Sequence, residues 1–203
     1  MDATLYYVHD PMCSWCWGFS KTWNQVITAL DGKLDIHYVV GGLAPDSAEP
    51  MPEAMQLALQ NTWRTIQSRI PGTEFNYDFW TDCQPRRSTY PACRAVLAAR
   101  KQNPDKERPM IRAIQQAYYL RARNPSDDEV LIELAGEVDL NTQQFTDDLN
   151  SDDMHTRLHA DIALGQRLGA QGFPSMVLHH ENRIQMLHLD YNSSDNILAQ
   201  ILP

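Results

Sequence analysis

The segment between residues 3 and 30 constrains the fold more than any other, because it places two cysteines between a strand and a helix. Leu5–Val8 predicts a short buried strand, Asp10-Pro11 is a turn signal, and a helical stretch runs from Trp17 to Leu30. Cys13 is therefore expected at a helix N-terminus, where free backbone N–H groups and the helix dipole favour a thiolate. Since a thiolate is the nucleophile of disulfide exchange, Cys13-Ser14-Trp15-Cys16 predicts a redox-active dithiol.

A metal site explains these cysteines less well. Structural zinc needs four ligands, and the remaining cysteines, Cys83 and Cys93, lie far along the chain and form no second CxxC. His155 and His159 have the spacing of metal ligands on a helix, but no HExxH motif surrounds them, so we interpret them as a surface pair. We expect no metal. Cys83 and Cys93 are interpreted as free thiols, and a second redox pair or a regulatory disulfide stays open.

Composition argues against several classes of partner. The 203 residues are 43% hydrophobic and include five tryptophans, enough for a real core. The net charge of −9 argues against nucleic-acid or anionic-membrane partners, and no apolar stretch is long enough to predict a transmembrane helix. Residues 1–4 lack the features of a secretory signal, and an initial methionine is present. We therefore expect a cytoplasmic protein, whose cysteines serve catalysis or stay free.

The two ends of the chain carry strand patterns. Leu34 to Val40 alternates with period two and ends at Gly41-Gly42. Near the other end, Ser175–Leu178 predicts a strand, His180–Asn182 a hairpin loop with His179 and His180 solvated, and Ile184–Leu189 the return strand. Asn192–Ser194 offers caps for a last helix that ends near Leu202.

The middle of the chain, from about residue 43 to about residue 164, has helical character. The predicted helices span Pro52–Ile70, Ala92–Arg100, Pro109–Ala122, Asp128–Glu137, Thr142–Asn150 and Ser151–Leu168. Asp82–Pro91 predicts a loop, in which Arg86, Arg87 and Ser88 are candidates to face the active-site groove.

The order of these elements, together with two short motifs, resembles a known family. Tyr7–Gly18 and Gly172–Ser175 resemble the corresponding segments of the DsbA-like branch of the thioredoxin superfamily, and most of all its FrnE-like group. That group is related to 2-hydroxychromene-2-carboxylate isomerases and kappa-class glutathione transferases. The resemblance implies an α/β thioredoxin fold with a long helical domain inserted between its halves. Residues 1–42 and 165–203 would form the thioredoxin-like domain, and residues 43–164 the inserted domain.

The resemblance also implies how a substrate is held. In the family, a proline before the third strand has a cis peptide bond and lies against the CxxC motif, and Pro174 takes that place here. A cis X-Pro bond turns the chain tightly and removes a backbone N–H. Phe173, the preceding residue, would then offer its own backbone N–H and C=O to an extended substrate.

Roles at the dithiol follow from its position in the helix. Cys13 is expected to attack a substrate disulfide, and Cys16, one turn further and more buried, to resolve the mixed disulfide. Trp15 and Met12 are expected to form an apolar rim that contacts substrate, and Trp17 to lie in the core. We interpret His9 as a strand residue with satisfied hydrogen bonds rather than a group that tunes Cys13.

The related isomerases and transferases usually carry serine in place of Cys13, whereas this chain keeps both sulfurs. We therefore predict a thiol–disulfide oxidoreductase of the reductase or isomerase type. Ser14-Trp15 adds no positive charge between the cysteines, which favours a weakly oxidising couple. A protein disulfide or a small one such as oxidised glutathione is the expected substrate. Glutathione or thioredoxin is the expected reducing partner, so glutathione would be a co-substrate and not a bound cofactor.

Two alternatives remain at this stage. The first is a glutathione-dependent isomerase or transferase on the same fold, whose turnover would survive loss of Cys16. The second is a redox-sensing or chaperone-like binding module that uses the apolar surface around Trp15 and Phe173 without turnover. The sequence leaves the physiological substrate, the direction of electron flow and the oligomeric state open.

Overall fold

A four-stranded mixed sheet lies at the centre of the fold. The computed structural model describes residues 3–181 and 183–202. The strands are β1 (Ala3–His9), β2 (Asp35–Val40), β3 (Ser175–His180) and β4 (Arg183–Met186), in the spatial order β2-β1-β3-β4. β1 runs parallel to β2 and antiparallel to β3, so the carboxyl end of β1 lies beside the amino end of β3.

Helices cover the sheet and fill the long connection between β2 and β3. They are α1 (Ser14–Leu30), α2 (Glu53–Arg69), α3 (Phe79–Asp82), α4 (Tyr90–Gln102), α5 (Glu107–Leu120), α6 (Asp128–Glu137), α7 (Thr142–Leu149), α8 (Asp152–Arg167) and α9 (Asp195–Ile201). A 3₁₀ turn at Pro104–Lys106 precedes α5. The predicted α/β class with a long helical insertion is confirmed. The division into domains 1–42 with 165–203 and 43–164 stays a prediction.

The C-terminal hairpin is tighter than the sequence indicated. His179 and His180 belong to β3 and are half-buried, where a solvated loop was predicted. Strand β3 continues beyond its apolar run because β1 supplies hydrogen-bonding partners as far as the pair Ala3↔His180. Asn182, part of the predicted loop, lies outside the described residues.

Helix α2 buries some of its apolar side chains and leaves others in solvent. Trp63 and Ile66 are fully buried, whereas Met55 is 38% exposed. Trp63 stacks on Phe75 at 4.7 Å between ring centroids, and its indole N–H donates to the Ser14 hydroxyl at 3.0 Å. The insertion is thereby held against the start of α1, where the two cysteines lie.

Helix α8 brings the end of the insertion back onto the sheet. Its Asp161 carboxylate accepts a hydrogen bond from the backbone N–H of Val40 at 3.2 Å. A Cβ atom added at Gly165 would lie 3.1 Å from Val8, so helix and strand approach closely there. In the described part of the chain, no helix is both long and apolar enough to cross a membrane.

Candidate active site

Cys13 lies at the N-cap of α1, immediately after the turn that follows β1. Its backbone N–H donates to the Asp10 carbonyl at 3.0 Å, and its own carbonyl accepts from the Trp17 N–H at 3.1 Å. The side chain therefore sits beside the free N–H groups of the first helical turn, which stabilise a negative charge.

The pKa values of the two thiols are shifted in opposite directions. Cys13 is 7% exposed and Cys16 is fully buried. A hydrogen bond from the Cys16 side chain is the largest influence on Cys13 and lowers its pKa, although burial and the Asp10 carboxylate oppose that shift. Burial raises the pKa of Cys16 well above its ordinary value. Cys13 is thus the sulfur that ionises first and the one that solvent can reach.

The Phe173–Pro174 segment lies against Cys13. The Phe173–Pro174 peptide bond is cis. The Cys13 thiol donates to the Phe173 carbonyl oxygen at 3.4 Å, across 160 residues of sequence. The pairing Val8↔Ser175 sets this contact, because it aligns the end of β1 with the start of β3.

Apolar side chains surround the dithiol. Trp15 is half-buried and packs edge-on against Tyr191, with the ring centroids 5.4 Å apart. Met12 is buried beside Cys13, and its carbonyl accepts a hydrogen bond from the Tyr119 hydroxyl at 2.7 Å. Trp17 stacks on the same tyrosine at 5.5 Å and is half-buried at the margin of the core.

A buried carboxylate under the active-site turn was not predicted from sequence. Asp10 is fully buried and accepts hydrogen bonds from the backbone N–H groups of Met12 (2.8 Å) and Leu43 (2.7 Å). It also accepts from the Thr89 hydroxyl (2.7 Å) and the Cys93 thiol (3.5 Å). Burial raises the pKa of Asp10, and these donors lower it in part. The sequence signal for it is an acidic residue directly after a buried strand, and the turn signal Asp10-Pro11 accounts for that residue equally well.

His9 is buried in β1 but its hydrogen bonds are not satisfied. Neither ring nitrogen has a partner in the part of the chain that the structure describes. Burial, followed by the charge of Arg100, lowers the pKa of His9 to about 3. The imidazole is therefore neutral near neutral pH and supplies no positive charge to the Cys13 thiolate.

Cys83 and the two histidines of α8 do not line the cavity that contains Cys13. Cys83 is half-buried and donates to the Ala122 carbonyl at 3.0 Å, and it is not bonded to Cys93. His155 and His159 lie on α8, half-buried and exposed respectively. Among residues 3–181 and 183–202, no group of three or more His, Cys, Asp or Glu is arranged to hold a metal ion.

A cavity of about 510 Å³ opens beside Cys13. Its walls come from the active-site turn, α2, the loop before α4, α8 and the segment before β3. The lining includes Met12, Cys13, Trp15, Leu59, Thr62, Arg86, Arg87, Tyr118, Ile162, Gln166 and Phe173. The predicted site residues Met12, Cys13, Trp15 and Phe173 thus share one cavity, with Cys16 behind Cys13 in α1.

Comparison with known proteins supports the same fold. The family model described as thioredoxin matches residues 6–195. A crystal structure of a candidate protein disulfide isomerase from Nitrosomonas europaea superimposes with a TM-score of 0.87 at 24% identity, covering 99% of this chain and 96% of that one. The predicted thioredoxin fold is therefore confirmed.

A second similar structure is named by its activity. The cytosolic disulfide reductase DsbM from Pseudomonas aeruginosa superimposes with a TM-score of 0.79 at 26% identity, covering 98% of this chain and 96% of that one. The same protein has been solved with GSH, with a TM-score of 0.76.

Curated relatives carry a different name. The ClpXP adapter proteins SpxH of Halalkalibacterium halodurans and Bacillus subtilis are 23% and 25% identical over 184 and 174 residues. These matches cover 88% and 85% of this chain but only 59% and 56% of the relatives, so the chain spans less than two thirds of their length.

Proposed function

Because the chain belongs to the DsbA-like branch of the thioredoxin superfamily, we propose that it is a thiol–disulfide oxidoreductase of the reductase or isomerase type. The contact between the Cys13 thiol and the Phe173 carbonyl carries this proposal, because it joins the more accessible sulfur of the pair, which lines the cavity, to a backbone group able to hold an extended substrate. The similarity to DsbM, which is named a disulfide reductase, supports it.

The proposed reaction is a two-step thiol–disulfide exchange. The Cys13 thiolate attacks one sulfur of the substrate disulfide, the substrate S–S bond breaks, and the first thiolate leaves. Cys16 then attacks Cys13 in the mixed disulfide, its proton passes to the departing thiolate, and a Cys13–Cys16 disulfide remains. Two electrons have moved from the dithiol to the substrate. Two molecules of glutathione, which leave as oxidised glutathione, or one molecule of a dithiol thioredoxin, which leaves as its own disulfide, restore the dithiol.

The acidities of the two sulfurs support this order of events. The lowered pKa of Cys13 gives it thiolate character, and the raised pKa of Cys16 keeps that sulfur protonated until the mixed disulfide forms. When Cys13 ionises, its hydrogen bond to the Phe173 carbonyl is lost, and that oxygen becomes free to accept an N–H from substrate. Trp15 and Met12 would then pack against the substrate next to its disulfide.

Substitution of each cysteine tests the mechanism. We expect Cys13→Ser to abolish reduction of insulin and of oxidised glutathione, and Cys16→Ser to accumulate a mixed disulfide that mass spectrometry detects. Cys83→Ser is the matched control, because its thiol donates to a carbonyl outside the site. Full activity in the Cys13→Ser variant would refute the proposal.

The glutathione-dependent isomerase or transferase is the second candidate, and the DsbM structure solved with GSH supports it. Turnover of a glutathione-dependent substrate by Cys16→Ser would favour this candidate over disulfide reduction. Binding of a partner protein without turnover by the unmodified protein would instead favour an adapter role, which is the role that names the two curated relatives.

We also propose that the protein works in a reducing cytoplasm. The name of DsbM, a cytosolic reductase, supports this location. A reduction potential of the Cys13–Cys16 pair near that of thioredoxin, about −270 mV, would agree with it, whereas a value near about −120 mV would contradict it.

A further inference from the structure

The cavity beside Cys13 is lined by positive charge, although the protein as a whole is negatively charged. The chain carries a net charge of −9, yet no Asp or Glu is found among the described residues that line the cavity. The charged side chains in the lining are Arg86 and Arg87, both in the loop before α4. The volume of about 510 Å³ lies within the usual range of small-molecule sites, about 300–1,000 Å³.

Of the two arginines, one is paired with a carboxylate and the other is not, as far as the described residues show. Arg86 donates to the Asp127 carboxylate and to the Ser126 carbonyl, both at 2.6 Å, so its charge is compensated within the fold. Arg87 has no ion-pair or hydrogen-bond partner for its guanidinium anywhere in the described ranges 3–181 and 183–202. It is half-buried, so its charge is partly removed from water without a counter-charge.

The loop that carries Arg87 is held on both sides. Arg86 anchors it to α6 through Asp127 at the helix N-cap, and Thr89 anchors it to the active-site turn through the Asp10 carboxylate at 2.7 Å. The Ser126 hydroxyl also donates to the Ser88 carbonyl at 2.7 Å. The backbone at Arg87 therefore has a fixed position relative to the dithiol.

The phenol of Tyr118 lies close enough to both Arg87 and Cys13 for their charges to affect its pKa. Its ring lines the same cavity, and burial is the main cause of its raised pKa. The charge of Arg87 lowers that pKa and the charge of Cys13 raises it, so both groups lie within electrostatic range of the one phenol. A guanidinium and the nucleophilic thiol thus line the same cavity.

We propose that Arg87 forms an anion-binding subsite that selects small disulfides with a carboxylate near the exchanged sulfur. A guanidinium binds a carboxylate with two parallel N–H donors, which fixes orientation as well as adding affinity. Acidic peptide disulfides, of which oxidised glutathione is one, match this chemistry. The inference rests on the proposed function, since it names the substrate class of the same dithiol.

A charge series of disulfides tests this selection. The reduced protein is mixed with 3,3′-dithiodipropionate (anionic), bis(2-hydroxyethyl) disulfide (neutral) or cystamine (cationic), and its oxidation is followed in a single turnover by tryptophan fluorescence. Each second-order rate constant is divided by the rate constant of the same disulfide with a small neutral thiol, which removes differences in leaving-group reactivity. For the unmodified protein we expect the normalised rate constant to be highest for the anionic disulfide, lower for the neutral one and lowest for the cationic one.

Substitution of Arg87 completes the test. We expect Arg87→Gln to lower the ratio of anionic to neutral rate constants at least about 10-fold, the effect of losing a hydrogen bond to a charged group. We expect Arg87→Glu to favour the cationic disulfide. We expect Arg87→Lys to retain part of the preference for anions, because it keeps the charge but loses the two parallel N–H donors. Arg69→Gln, an exposed position at the end of α2, makes the same change in net charge and should leave the ratio unaltered.

The outcomes separate the two proposals. If the unmodified protein is oxidised by none of the three disulfides and does not reduce insulin either, the proposed function fails. If it reduces insulin but is oxidised by none of the three, the function stands and the role of Arg87 is wrong. If it is oxidised by all three without regard to charge, or if Arg87→Gln leaves the ratio unchanged, the function stands and the role of Arg87 is wrong. The charge order of the unmodified protein needs no variant, so its absence would overturn the role of Arg87 even if a substitution there prevents folding.

Discussion

The buried imidazole of His9 is expected to make the stability of this protein depend on pH. His9 stacks on Tyr7 with 5.3 Å between ring centroids and meets the edge of Tyr38 at 5.9 Å. Burial among these rings is the main cause of its low pKa, and the Arg100 charge adds to it. The pKa is about 3 in the folded protein, against an ordinary value of 6.5.

The sign and size of the effect follow from proton linkage. Between pH 6.5 and pH 3 the unfolded chain binds a proton at His9 that the folded protein does not. The contribution of the neutral His9 imidazole to the free energy of unfolding is therefore fully present above pH 6.5. It is lost progressively as the pH decreases from 6.5 towards 3. With these two pKa values, protonation of His9 alone lowers the free energy of unfolding by about 2 kcal/mol as the pH falls from about 7 to about 5.

Urea unfolding of a His9→Phe variant measures this contribution. Phenylalanine keeps an aromatic ring in the stack and has no unpaired nitrogens, so we expect little change in the free energy of unfolding near pH 7. Between about pH 7 and pH 5 the variant should lose about 2 kcal/mol less than the unmodified protein. The comparison between the two proteins is needed because burial raises the pKa of Glu107 to about 7, and that group titrates in both.

The control and a second measurement make this test decisive. His188→Gln, which removes an exposed histidine, is the control for the loss of an imidazole. Parallel pH dependences for His9→Phe and the unmodified protein would refute the reasoning. So would an NMR titration in which the His9 imidazole of the unmodified protein gains its proton near its ordinary pKa of 6.5, a result that needs no variant.

Two further substitutions test the structure around the dithiol. A Cβ atom at Gly41 would lie 1.9 Å from the Phe173 ring, so Gly41→Ala should displace that ring, cost about 1–3 kcal/mol in urea unfolding and slow disulfide reduction. Gly172→Ala is its control, because nothing lies within 4 Å of the added atom. Asp10→Asn removes a charge that raises the pKa of Cys13 and weakens a buried hydrogen-bond network. We expect it to cost about 1–3 kcal/mol and to shift the pH profile of iodoacetamide alkylation of Cys13 to lower pH; an unshifted profile would contradict the proposed influence of Asp10.

Local signals were sufficient to predict the elements around the dithiol. Strand β1 follows from its apolar residues, and the start of α1 follows from the turn and the helical stretch on either side of Cys13. The order of elements indicated that Pro174 precedes a strand, and the structure has β3 beginning at Ser175.

The contacts between distant segments were not predictable in this way. Asp10 binds Thr89 and Cys93 across 79 and 83 residues, and no periodicity or motif in the sequence marks that pairing. The pairing of Arg86 with Asp127 likewise depends on where α6 packs. The extra length of β3 depends on β1 as a ladder partner, which a pattern within residues 175–180 does not contain.

The position of the Phe173 carbonyl beside Cys13 has a consequence for the newly made chain. These two groups are 160 residues apart in sequence. At about 5–20 residues per second, a ribosome needs about 8–30 s to synthesise the stretch between them. Throughout that interval the emerging polypeptide carries both thiols without β3 beside them. Oxidants and electrophiles in the cell therefore have a period of access to this pair during translation that ends when β3 docks.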